Sequence, residues 1–133
     1  MTALTTDTDI ARLVEKFWSL MGSNDFASVE SVLGERFVLE WPQSNERIRG
    51  GARFAQMNTE YPAQGLWHFT VNRVVVSNNY EAVSDVSVTD GFLKARAISF
   101  FSVEGGKIAK IVEYWPEPYA APAHRAHLVE PID

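Results

Sequence analysis

Between Asp9 and Met21 the apolar residues Ile10, Leu13, Val14, Phe17, Leu20 and Met21 recur three and four positions apart. That period draws one stripe along an amphipathic helix, with Thr6 or Asp7 placed to cap its start. Gly22-Ser23-Asn24-Asp25 breaks the pattern. Phe26, Val29 and Leu33 then predict a short second helix that ends at Gly34. Phe37–Trp41 reads as a strand stopped by Pro42, and Glu46–Arg49 as its antiparallel return. Gly50-Gly51 opens a third helix running to about Tyr61, with Phe54, Met57 and Asn58 on one side and Pro62 as its end.

From Leu66 onward the period drops to two. Trp67–Val76, Glu81–Thr89, Leu93–Val103 and Lys107–Trp115 predict four strands, with Asn78-Asn79 and Gly105-Gly106 as hairpin turns between them. Helices followed by an antiparallel meander define an α+β domain, one domain over residues 1–133. Residues 116–133 are a Pro-rich tail without regular structure, expected to lie over the domain because Tyr119 and Leu128 need burial.

Alternation sorts the strands into faces. Phe37, Leu39 and Trp41 share one face, as do Trp67 with Phe69 and Val71, Ala97 with Ser99, Phe101 and Val103, and Ile111 with Glu113 and Trp115. These aromatic-rich sets belong beneath the helices. In Glu81–Thr89 the choice is between Val86 with Val88 and Asp85 with Ser87. With Asp85 inward, Val86 and Val88 join Ile98 and Phe100 on the outer face, an apolar surface that predicts a homodimer packed through the sheet.

Composition narrows the function. Aromatic residues make up 12% of the chain, with four Trp and eight Phe, more than packing alone needs in so small a domain. A ring-lined cavity for a small apolar or aromatic ligand uses them. The net charge of −5 and scattered Lys and Arg argue against a nucleic-acid partner. The absence of cysteine removes disulfides and thiolate chemistry. His124 and His127 lack a third ligand, so no metal is expected, and no loop that would cradle a nucleotide cofactor is visible. No apolar run reaches the roughly 18 residues of a membrane span, and Met1–Asp9 is polar and acidic, unlike a signal peptide. No membrane partner and a cytoplasmic location are the resulting expectations.

Glu40-Trp41-Pro42-Gln43-Ser44, Glu46-Arg47-Ile48-Arg49-Gly50, Gly106-Lys107-Ile108 and Glu113-Tyr114-Trp115 resemble the SnoaL-like branch of the nuclear-transport-factor-2-like (NTF2-like) superfamily. The resemblance covers nearly the whole chain and implies a cone-shaped fold whose helices and curved sheet enclose a pocket. It spans cyclases, isomerases, dehydratases, epoxide hydrolases and members without catalysis, so it does not choose a reaction. Where ketosteroid isomerases carry their general-base Asp this chain has Trp41, and their second acid falls at or near Ser99, so both acids are missing and isomerisation by that mechanism is not expected. Limonene-type epoxide hydrolases resemble it more closely. Their Arg-x-Asp becomes Val83-Ser84-Asp85, and their second Asp becomes Glu113.

Together these features nominate Asp85 and Glu113 as a catalytic acid–base pair, with Arg47, Arg49 or Arg96 as a partner from another strand. Two carboxyls in one apolar cavity would raise at least one pKa, which suits cyclisation, dehydration or epoxide opening without a cofactor. Phe17, Trp41, Asn58, Tyr61, Trp67, Phe69, Ser99, Phe101 and Trp115 are the expected ligand-binding set. A carrier that binds without catalysis, and a dimerisation module whose cavity its own rings fill, remain alternatives.

Overall fold

The computed structural model describes residues 6–77 and 80–132. Helix α1 (Asp7–Gly22) is followed by a 3-10 helix (Phe26–Val32), strands β1 (Leu33–Trp41) and β2 (Glu46–Arg49), and helix α2 (Gly51–Glu60). Strands β3 (His68–Ser77), β4 (Glu81–Thr89), β5 (Lys94–Glu104) and β6 (Lys107–Tyr114) complete the sheet. Thr6 and Asp9 start α1 by capping each other, each backbone N–H donating to the other side chain at 3.1 Å. The second helix is 3-10, so Phe26, Val29 and Val32 stack at its three-residue repeat and are all buried. Leu33 therefore begins β1, which starts before the expected Phe37.

The strand order is β2-β1-β6-β5-β4-β3, a curved sheet that stays open at both edges. Among the described strands only β1 and β6 run parallel, placing Leu39 beside Ile111. The β5–β6 turn puts Gly105 and Gly106 at φ +57° and +75°, the left-handed pair a two-residue hairpin requires. The expected turn at Asn78-Asn79 lies outside the described residues. Helix α1 crosses β3 and β4, while α2 packs on the 3-10 helix and β1. Ile10, Val14 and Phe17 meet Phe37, Leu39, Phe101 and Ile111 in a core that the alternation had assigned to this face. No described helix is long and apolar enough to cross a membrane.

Two expectations fail here. Strand β4 turns Ala82, Ser84, Val86 and Val88 inward, all buried, and sends Asp85 to the outer face opposite Ile98. Inward placement of Asp85 would have exposed two valines and stranded a carboxylate. The fold instead gives Asp85 two guanidiniums on the outer face. The homodimer argument from Val86 and Val88 loses its premise. The tail also departs from expectation, since Tyr119 is 80% and Leu128 76% exposed. Pro116, Pro118 and Pro122 hold this segment without regular structure until a short 3-10 turn at Ala123–Arg125, and those side chains point outward.

Candidate functional site

Between the helices and the inner sheet face lies a cavity of about 660 Å³. Its walls come from α1 (Phe17, Trp18), α2 (Phe54), β1 (Trp41), β3 (Phe69) and the residues flanking β3 and β6 (Trp67, Trp115). The rings brace one another: Trp18 lies 5.4 Å from Phe69 and Phe17 5.4 Å from Phe101, centroid to centroid. Trp18 also donates its indole N–H to Ser84 Oγ at 3.0 Å in the buried interior. That bond satisfies two polar groups and fixes the ring.

Glu113 is the buried ionisable group that faces this cavity. It is 5% exposed and lines the cavity. The β5–β6 register sets Ser99 directly opposite it, and Ser99 Oγ donates to Glu113 Oε2 at 2.7 Å. Trp115 follows two residues later on the same face, and its indole donates to Oε1 at 2.8 Å. Trp41 stands one residue beyond the Glu40–Val112 pair of β1 and β6, and its indole donates to the same Oε1 at 3.1 Å. Burial pushes the Glu113 carboxyl above its usual range, opposed by the three hydrogen bonds from Ser99, Trp41 and Trp115. With two N–H groups directed at Oε1, the acid proton belongs on Oε2. As a carboxylate the group keeps one of its roughly four acceptor positions free, also on Oε2.

The mouth is built by backbone-to-side-chain bonds. Asn24, at φ +62°, accepts from the Trp67 N–H at 2.8 Å and donates to the Trp67 carbonyl at 2.9 Å, which pins the start of β3. Asp90, after β4, accepts from the backbone N–H groups of Gln64, Phe92 and Leu93 at 2.8–2.9 Å. These backbone bonds hold its carboxyl below the ordinary range. Gly65 passes so close that a Cβ there would sit 2.6 Å from the Asp90 carbonyl oxygen. Tyr61 and Trp67 meet edge to face at 6.0 Å beside this rim.

Of the expected ligand-binding residues, Phe17, Trp41, Asn58, Tyr61, Trp67, Phe69 and Trp115 line the cavity with Glu113. Asn58 donates to the Phe54 carbonyl at 2.8 Å within its own helix. Ser99 lies behind Glu113, and Phe101 belongs to the core against Phe17. Asp85 is the misplaced one. It sits across the sheet from Glu113, held by Arg96 Nε at 2.7 Å and Nη2 at 2.6 Å, with Arg73 at 3.2 Å. The Arg96 bonds, helped by Asn72, bring its carboxyl down to about 2. Arg96 is thus the arginine sought among Arg47, Arg49 and Arg96, on the face away from the cavity.

Sequence reasoning missed Trp18, Gln43, Glu46 and Glu117, all of which line the cavity. Trp18 is signalled by its four-residue spacing from Val14. Gln43 sits in the β1–β2 turn, where its Oε1 accepts from the Trp115 backbone N–H at 2.7 Å; no periodicity marks such a residue. Among the described residues no three His, Asp or Glu side chains gather as metal ligands.

Comparison with known proteins agrees with this fold. A crystal structure of a protein from Kribbella flavida DSM 17836, provisionally assigned as a ketosteroid isomerase, superposes with a TM-score of 0.87 at 30% identity, covering 98% of this chain and 95% of that one. An NTF-2 like protein of unknown function from Burkholderia xenovorans LB400 gives 0.78 at 22% identity, covering 95% and 97% of the two chains. An LEH-like epoxide hydrolase from M. tuberculosis gives 0.67 at 24% identity over 83% and 84%. None of the curated protein sequences matches the chain. The SnoaL-like domain model matches residues 14–111, from within α1 to within β6 and short of Glu113, and the chain belongs to the SnoaL-like family of NTF2-like proteins.

Proposed function

We propose that the cavity binds a small, largely apolar organic molecule and that Glu113 moves a proton on it without a cofactor. The observation that carries this reading is Glu113 itself, a buried carboxyl facing an aromatic cavity, held only by neutral donors and shifted toward neutrality. A hollow of about 660 Å³ is also more than a dimerisation module filled by its own rings would leave. With Asp85 on the opposite face, the two-carboxylate scheme for epoxide opening lacks its expected partner, and the other carboxyls lining the cavity, Glu46 and Glu117, are exposed. A single buried carboxyl suits a reaction in which it removes a proton at one carbon and returns it elsewhere, as in double-bond isomerisation or loss of water beside a carbonyl. The likeness to the Kribbella protein supports this class.

Turnover of β,γ-unsaturated and β-hydroxy ketones tests the reading. Glu113→Gln is expected to lower kcat at least about a hundredfold, the ordinary size of an acid–base contribution, while Asp85→Asn leaves it unchanged. Binding without turnover, equal in both variants, would make the protein a carrier.

The same reading includes a second copy of the chain on the outer sheet face. Phe100 and Tyr114 remain 45% and 36% exposed there, in edge-to-face contact at 6.0 Å, with Val83, Ile98 and Val112 half-buried around them. Sedimentation at micromolar concentration should give a dimer that Phe100→Glu dissociates. A wild-type monomer under those conditions refutes the assembly.

A further inference from the structure

Three carboxylates line the cavity, Glu46, Glu113 and Glu117, and no lysine, arginine or histidine among the described residues joins them. The fold compensates its other buried carboxylates fully. Asp85 has Arg96 and Arg73, and Asp90 has three backbone N–H groups. Glu113 receives two indoles and a hydroxyl, all neutral. A carboxylate buried without a positive partner is costly, and proteins ordinarily pair such a charge or keep it protonated. The wall beside it is made of indole, phenyl and phenol rings, whose faces attract cations and repel anions.

We infer that the cavity selects an organic cation: an apolar or aromatic body carrying one protonated nitrogen, with the nitrogen as the counter-ion of Glu113 and the rings around it. The inference rests on the reading of this cavity as the ligand site and adds the charge of the ligand. Each part of the site has a role in it. The open position on Oε2 accepts the ammonium N–H, Trp41 and Trp115 keep Oε1 occupied, and Glu46 and Glu117, both exposed, make the approach attractive to cations. An anionic ligand meets three carboxylates and no balancing charge.

Binding is also linked to protons. Glu46, Glu117 and Tyr61 are the other titratable groups lining the cavity, and none carries positive charge. A cation entering while Glu113 is protonated drives its proton off. Affinity for the cation therefore rises with pH until Glu113 is ionised in the free protein, whereas a neutral analogue shows no such rise.

Calorimetric titration with three molecules on one 2-naphthylmethyl body, ending in an ammonium, a hydroxyl or a carboxylate, tests this. The ammonium is expected to bind at least about tenfold tighter than the alcohol, and the carboxylate more weakly than either. In Glu113→Gln the ammonium should fall to the level of the alcohol, whose retained binding reports an intact cavity. The double variant Glu46→Gln, Glu117→Gln should weaken ammonium binding at low salt while keeping its preference over the alcohol. Alcohol binding equal to or tighter than ammonium binding overturns the inference and leaves the ligand-site reading standing. No binding by any of the three at millimolar concentration overturns both.

Discussion

Phe17→Ala is expected to lower the unfolding free energy by about 3–5 kcal/mol, the usual cost of emptying a fully buried aromatic site. For a domain of this size that corresponds to a fall of roughly 10–20 °C in Tm. Phe17 is 1% exposed and stands at the junction of core and cavity, with Phe101 at 5.4 Å and Phe54 at 6.0 Å. Its removal joins a new void to the existing hollow, so the neighbours have little reason to collapse inward. Phe17→Leu keeps much of the volume and should cost about a third as much. Urea unfolding of the two variants measures both values. A loss below about 1 kcal/mol for alanine would mean that the ring is not packed as described.

Glu113→Gln has the opposite sign, and its size depends on pH. In the unfolded chain Glu113 ionises near 4.5; in the folded protein burial holds the proton to higher pH. Below that unfolded value both states are protonated, and glutamic acid and glutamine behave alike. As pH rises, the unfolded chain releases its proton first, so the wild type loses stability until the folded carboxyl ionises as well. Glutamine does not titrate. Its carbonyl still accepts the two indoles, and its NH2 donates to Ser99 Oγ. Calorimetry should find equal Tm values at pH 4 and a variant more stable than the wild type at pH 8. A difference independent of pH would rule out the raised carboxyl. The variant expected to destroy turnover is thus also expected to stabilise the fold, the usual relation at a site built for chemistry.

Much of this molecule was legible in the chain. Strand β2 has the bounds its sequence indicated, and the convergence of Trp41, Ser99, Glu113 and Trp115 follows from alternation on three strands. Two kinds of feature were not. Gly34 reads as a helix stop, yet it lies within β1, because the 3-10 helix closes at Val32 and leaves Leu33 to pair with Ile108. Asp85 is the more instructive case. Val86 and Val88 already opposed it in the alternation, and burial of two valines against α1 outweighs any preference a distant motif suggests. Residues such as Gln43, Glu46 and Glu117 reach the cavity from a turn, a short edge strand and the tail. Their placement is set by tertiary approach, which no local pattern encodes.

The irregularity in β3 has a further consequence. The register of β3 on β4 slips between Val71 and Arg73, and Asn72 and Arg73 both reach Asp85 on the outer face. Strand β3 is also the last in the sheet, with its outer row of backbone groups unpaired by any described strand, and Val71 and Val75 are 36% and 59% exposed. A long, flat, valine-rich border is a template on which foreign chains can add as further strands. The slip bends that border and places a guanidinium midway along it, two recognised means of blocking such growth. The ion cluster on the outer face thus ties the slipped register of β3 to the neighbouring strand through Asp85.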